Sequence, residues 1–197
     1  MKYFEIKDYH NTQIISTSEL KEHLRITFND DDNYIVDLEK AAVRRLEEFT
    51  NLFLLGTTGI QYGNTFKDLE ILFKSPLYNI KPDLSTKVSA LGWQIIPANQ
   101  YELVYSMKPS RVYKSSSFID PPVIDVFEAW KIDYRLGYTS IAEIPSPIKQ
   151  AIKIMVSDMY ENRQSVIVGK IVSEIPKTAQ YLMNPFKILT LWLQLAN

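Results

Sequence analysis

IPSPIKQAIKIMVSDMYENR, residues Ile144 to Arg163, is the most legible stretch of the chain. Pro145 and Pro147 bracket Ser146, which predicts extended backbone turning into a helix with a serine cap and a proline in its first turn. Ile148, Ile152, Met155 and Met159 follow at helical spacing, and Ala151 and Val156 widen the stripe. Tyr160 and Arg163 close the segment, where a cation suits the negative end of the helix dipole. The pattern predicts a core helix and by itself carries no chemistry.

Upstream, Tyr3 to Ile6 reads as a short docking strand. Ser16 with Glu19 three residues later predicts a capping box, and Leu20, with His23 or Leu24, supplies the buried side of a short helix. Asn29-Asp30-Asp31-Asp32 makes an acidic turn. A longer helix then runs to about Phe53, with Ile35, Leu38, Ala42, Leu46, Phe49 and Phe53 at three- and four-residue intervals. The two helices form an α-hairpin.

Downstream, SVIVGKIVSEIP reads as a hairpin around Gly169 or as a loop. Pro176 opens a helix over Thr178–Met183 that Asn184-Pro185 ends. In the tail, Leu189, Leu191, Leu193 and Leu195 alternate with Thr190, Trp192 and Gln194, the period of a strand. Its apolar row has two destinations: its own domain, or a neighbouring subunit or partner through strand addition. These four leucines and Trp192 are therefore the candidate interface.

Between the helical ends, GTTGIQYG (Gly56–Gly63) reads as a turn-rich connector. No Gly-Lys-Ser/Thr follows it, so it is not a phosphate-cradling loop. Phe66–Phe73, Lys87–Ile96, Tyr101–Tyr105, Arg111–Lys114 and Val126–Tyr134 are rich in aromatic and β-branched residues and are separated by turn-formers, which predicts five short strands. YELVYS and RVYKSS around Met107–Ser110 form a hairpin, and Pro121-Pro122 marks an extended crossing. The expected class is α+β: a helical framework from residues 1–55 and 141–197, with a small antiparallel sheet or sandwich from residues 56–140 inserted between them.

Composition limits the function. At 197 residues the chain is long enough to bury a substantial core. A net charge of −1 advertises neither nucleic acid nor an anionic membrane. With no cysteine, disulfides and thiolate metal sites are excluded. The polar start MKYFEIKDYHN does not read as a secretory signal, and no apolar run reaches membrane-spanning length, so a soluble protein with no membrane contact is expected. Charge is uneven, however. Residues 1–65 hold 7 basic and 11 acidic side chains, and residues 145–197 hold 6 and 3. Such ends suit contact between one subunit and the next, or are ordinary solvated faces.

Candidate chemistry is sparse. Asp30–Asp32 lacks the alternating oxygen ligands, turn glycine and distal glutamate of a calcium loop, and helix capping explains it; no metal is expected. His10 and His23 stand in no HExxH or triad context, and Glu47-Glu48 cannot be set opposite another acid pair. No catalytic residue and no cofactor are expected, hence no enzyme. A DNA-binding accessory module is the alternative. It would use Lys40, Arg44 and Arg45, although Glu39, Glu47 and Glu48 dilute that basic face.

Four elements in order carry a family resemblance. The first is Leu20, Lys21, His23, Leu24 and Arg25. The second is Asp31 and Asp32, followed by Ala41, Ala42, Glu47 and Thr50. The third is Tyr134, Gly137 and Tyr138, then Pro145, Ile148, Lys149, Ala151 and Tyr160-Glu161-Asn162-Arg163. The last is Pro176, Leu182, Pro185, Phe186 and Lys187. Over residues 16–55 and 130–187 the chain resembles the head–tail connector proteins of tailed phages, the neck adaptors or head-completion proteins. The leucine-rich tail runs beyond that family's usual ending. The resemblance implies a non-enzymatic virion protein, assembled in the host cytoplasm. It would form a ring, usually of twelve copies, beneath the portal protein. That ring extends the DNA channel, through which packaged DNA passes without specific binding, and docks the next neck or tail protein. Glu47 and Arg163, each at the end of a motif helix, are expected to face each other as a partly buried structural pair.

Overall fold

The computed structural model describes residues 3–70, 83–89, 92–104, 110–122, 127–163 and 175–188. In chain order these form β1 (Tyr3–Asp8), α1 (Thr17–Leu24), α2 (Asp32–Thr50), β2 (Thr57–Gly63), β3 (Asp83–Ser89), β4 (Gly92–Ile95), β5 (Tyr101–Val104), β6 (Arg111–Lys114), β7 (Trp130–Leu136), α3 (Ser146–Glu161) and α4 (Lys177–Met183). The class is α+β, as expected, with every strand pair antiparallel. The chain divides into two compact units. Of the described residues, those within 11–54 and 140–187 make a helical unit; those within 3–10 and 55–139, with Ile188, make a β unit.

The helical unit draws its core from both ends of the sequence. Leu20 from α1, Ile35, Ala42 and Leu46 from α2, Ile148, Ala151, Ile152 and Val156 from α3, and Ala179 and Met183 from α4 are all sealed from solvent. Burying each large aliphatic side chain contributes about 1.5–3 kcal/mol. The Ser16 hydroxyl accepts the Glu19 amide at 3.2 Å, which starts α1, and Arg25 ends it in the left-handed conformation with φ 59°. α2 stops at Thr50 rather than Phe53, because Asn51 turns left-handed with φ 61° and the chain leaves as buried irregular backbone over Leu52–Leu54. α3 begins one residue earlier than its proline pair implied. Pro145 is the cap and Ser146 the first helical residue, with Pro147 next in the first turn, where its ring supplies the helical φ. α4 opens after Pro176 and tightens into a 3-10 turn over Asn184–Phe186.

In the β unit a five-stranded sheet has the order β1-β2-β7-β3-β4, and β5 and β6 form a separate two-stranded ribbon. On β7 the residues Trp130, Ile132, Tyr134 and Leu136 are buried, while Lys131, Asp133 and Arg135 alternate on the opposite face. The register places Phe4, Thr57, Gly59, Gln61, Leu84 and Thr86 on the buried face with them. The Gln61 amide donates to the Asp68 carbonyl at 3.0 Å, so this polar side chain is satisfied inside the layer.

Four local expectations are corrected. GTTGIQYG is no connector: it is β2, the strand between β1 and β7. Gly59 makes room for a ring, since a Cβ there would lie 2.2 Å from the Phe4 ring. Phe66–Leu69 is a 3-10 turn, capped by Asp68 accepting the amides of Asn64 and Thr65 at 2.9 and 3.1 Å. Lys87–Ile96 contains parts of two strands that pair with each other. The last strand starts at Trp130, later than Val126. The YELV and RVYK strands do pair. Residues 71–73, residues 105–109 and the segment around Gly169 lie outside the described residues.

The Tyr-x-x-Gly-Tyr motif has a backbone cause. Gly137 takes φ +82°, and a Cβ there would sit 2.1 Å from the Leu55 carbonyl oxygen. That close approach accompanies the bridge between Leu55 and Tyr138.

Candidate functional site

The charged residues of the helical unit are arranged as fasteners. α2 and α3 run antiparallel, so the end of α3 meets the start of α2. There the Arg163 guanidinium binds the Asp31 carboxylate at 2.5 Å and lies over the rings of Tyr34 and Tyr160, at 4.8 and 4.3 Å from their centroids. The Tyr160 hydroxyl donates to the same Asp31 oxygen. These two donors, Arg163 first, hold the Asp31 carboxyl below its usual range. Donation to Asp31 in turn pushes the Tyr160 hydroxyl up.

This geometry replaces the expected pairing of Glu47 with Arg163. Sixteen residues of α2 separate Asp31 from Glu47, about 24 Å at 1.5 Å per residue, which an arginine side chain cannot span. Two helix C-termini would meet only in a parallel pair. Glu47 is instead buried within the chain's exit from α2, and its carboxylate accepts the Leu54 amide at 2.7 Å. Thr50, its motif partner, donates to the Leu46 carbonyl at 2.7 Å.

A second buried acid went unnoticed in the sequence. Glu39 is 1 % exposed, and its carboxylate accepts the amides of Ile14 and Ile15 at 2.8 and 3.2 Å. Burial pushes its carboxyl up, and the two amides oppose that shift. The signal was present: Glu39 falls four residues after Ile35 and three before Ala42, on the apolar stripe itself. α2 thus holds the bend before α1 with one glutamate and its own exit with another.

The acidic turn also serves packing. The Asp31 carboxylate makes no capping bond because Arg163 and Tyr160 occupy it. Asp32 pairs with Lys21 at 2.8 Å, and Lys153 of α3 reaches Glu19 of α1 at 2.7 Å. Among the described residues no cluster of three or more His, Cys, Asp or Glu could hold a metal ion, and every buried side-chain polar atom has a partner. His23 is exposed on α1. The basic candidates of α2 are diluted as charge: Lys40 pairs with Asp37 at 3.6 Å and Arg45 with Glu48 at 3.5 Å.

In the β unit, an open depression of about 490 Å³ is lined by Asn64, Thr65, Phe66, Lys67, Glu70, Lys114 and Trp130. Lys114 is engaged by Asp120 at 2.5 Å and sits 4.3 Å above the Phe118 ring. Leu189, Leu191, Trp192, Leu193 and Leu195 lie outside the described residues. Among the described residues no helix is long and apolar enough to cross a membrane.

No protein-family model and no curated protein matches the chain. Solved structures do. The chain is similar to a chain of the neck of an empty GTA particle computed with C6 symmetry (TM-score 0.73, 15% identity, covering 95% of this chain and 96% of that one). It is similar to one in the virion of a native gene transfer agent particle (TM-score 0.71, 16% identity, 95% and 96% covered). A third lies in the neck of a native GTA particle computed with C12 symmetry (TM-score 0.68, 16% identity, 94% and 96% covered). The likeness spans both units in all three, so the fold is shared end to end.

Proposed function

We propose that this chain is a structural component of the neck of a tailed phage or phage-like particle, where copies form a ring beneath the portal. The observation that carries this reading is the end-to-end likeness to neck chains, over nearly the full length of both partners. Those neck structures were computed with sixfold and twelvefold symmetry, which supports a cyclic assembly with twelve copies as the first expectation. The ring extends the DNA channel and offers a docking surface to the next neck or tail protein. It catalyses nothing.

The chemistry of the chain supports a building block. Its buried acids are spent on backbone amides and its ion pairs on joining helices. Near-zero net charge suits a channel wall that lets DNA slide, because phosphate affinity scales with the number of lysine and arginine contacts. Binding of DNA as the primary role is less well supported, since Lys40 and Arg45 are paired with acids on their own helix.

Gold labelling of a tagged copy in purified particles tests the placement. Label confined to the head–tail junction is expected. Label over the capsid or along the tail, or particles that lack the protein, would overturn the reading.

A further inference from the structure

The open depression of the β unit is floored by rings. Phe66 and Trp130, both buried, line it and meet edge to face at 5.6 Å, and Phe118 packs against both. Its flanks expose apolar side chains. Ile119, next to Phe118, is 72 % exposed, and Phe127, next to Glu128, is 56 % exposed. Both flanks are fastened. The Ile119 amide donates to Gln100 Oε1 at 3.3 Å, and the hydroxyls of Ser115 and Ser117 donate to the Asn99 carbonyl at 2.9 and 3.0 Å. Glu128 holds a left-handed φ of 59°, uncommon for a residue with a side chain. Its amide donates to Oδ1 of Asn64, on the depression's rim, at 3.1 Å, and its carboxylate accepts the Tyr3 hydroxyl at 2.7 Å. Backbone strain held in place by side chains clusters at binding clamps. Lys114 is neutralised by Asp120, which leaves exposed Lys67 and half-buried Glu70 as the charges of the lining.

The helical unit carries a turn of matching chemistry. Phe28, between α1 and α2, is 50 % exposed. Arg25 stands three residues before it and Asp30 two residues after it, both exposed. Lys21 is spent on Asn29 and Asp32, and Asp31 on Arg163. Arg25 and Asp30 are thus the charges this turn presents. An aromatic side chain flanked by one cation and one anion answers a ring-floored depression lined by one of each. A volume of about 490 Å³ falls within the range of about 300–1,000 Å³ in which pockets bury most of an occupant. Tyr181 of α4 is also bare, at 73 % exposure, but its helix brings Lys177 and no acid to answer Lys67.

We propose that Phe28 of one copy enters this depression on the next copy, with Asp30 meeting Lys67 and Arg25 meeting Glu70. The proposal rests on the ring reading and deepens it. Turn and depression are different surfaces, so the contact is heterologous and repeats around a ring until it closes. The buried aromatic supplies the attachment, and the charge pairs fix its orientation.

Charge reversal tests it on the full-length chain, alone and mixed with the portal of its own particle. Asp30→Lys and Lys67→Glu each set like charge against like, and Phe28→Ala removes the ring that enters the depression. All three positions are exposed, so circular dichroism melts should match those of the native chain. By light scattering each single variant should lose the ring, and the Asp30→Lys/Lys67→Glu double variant should regain it. A ring that persists in Phe28→Ala, or a double variant no better than its two singles, would overturn this contact while leaving the ring standing. A native monomer under both conditions would remove the ring and the contact with it.

Discussion

Arg163 at the end of α3 binds Asp31 at the start of α2 while stacked against Tyr160, so two residues 132 positions apart close the helical unit. Replacing Asp31 by Asn weakens that fastener without emptying the site. Because Asp31 titrates below its usual range when folded, its contribution is present above the unfolded carboxylate pKa and is lost as pH falls through the folded value. The Asp31→Asn variant is therefore expected to melt earlier than the native chain at neutral pH and to converge with it under acid. Thermal melts from pH 7 down to pH 2 check this. Parallel curves at all pH values would show that Asp31 is not held by charge.

Tyr160 supplies the alkaline counterpart. Its folded pKa is raised, so the stability it adds is complete below the unfolded phenol value and declines as pH rises through the folded one. Tyr160→Phe should remove that alkaline loss while keeping the ring under Arg163. Denaturant melts between pH 8 and pH 11 are the measurement.

Glu39 gives a larger effect. Glu39→Ala strips the acceptor from two buried amides, at about 1–3 kcal/mol for each group left unsatisfied. A loss of at least about 2 kcal/mol is expected in urea titration. Glu39→Gln, which keeps the one oxygen that both amides bond and removes the burial cost of charge, should lose less than Glu39→Ala. The raised carboxyl adds a sign: relative to Gln, Glu39 is more favourable below its unfolded pKa and loses that advantage as pH rises through the folded value.

Gly137 and Gly56 form a matched pair for backbone strain. At Gly137 an added Cβ meets the Leu55 backbone at 2.1 Å with φ at +82°, whereas at Gly56 nothing lies within 4 Å. Gly137→Ala is expected to cost about 1–3 kcal/mol or to prevent folding, and Gly56→Ala to change stability little. Circular dichroism melts of the two variants decide it.

These contrasts show what was legible beforehand. The stripes of α2 and α3 announced themselves because Ile35, Leu38, Ala42 and Leu46, and Ile148, Ile152 and Met155, follow a period that only a helix satisfies. β2 stayed hidden because Gly59 and Gly63 are there for what they lack: space beside Phe4 and Asp68 is a tertiary demand with no local pattern. The Glu47–Arg163 expectation failed for a related reason, since motif position along the chain does not tell whether two helices pack parallel or antiparallel. Glu39 was readable as an acid on an apolar stripe, but its partners, the amides of Ile14 and Ile15, carry no side-chain signal.

The central claim is that this chain is a repeating unit of an annulus. Size-exclusion chromatography with light scattering, paired with negative-stain imaging, tests it most directly, on the chain alone and on the chain mixed with the portal of its own particle. A closed ring with a central opening, its mass an integral multiple of 22.9 kDa, is the predicted result. A single 22.9 kDa species under both conditions would contradict it.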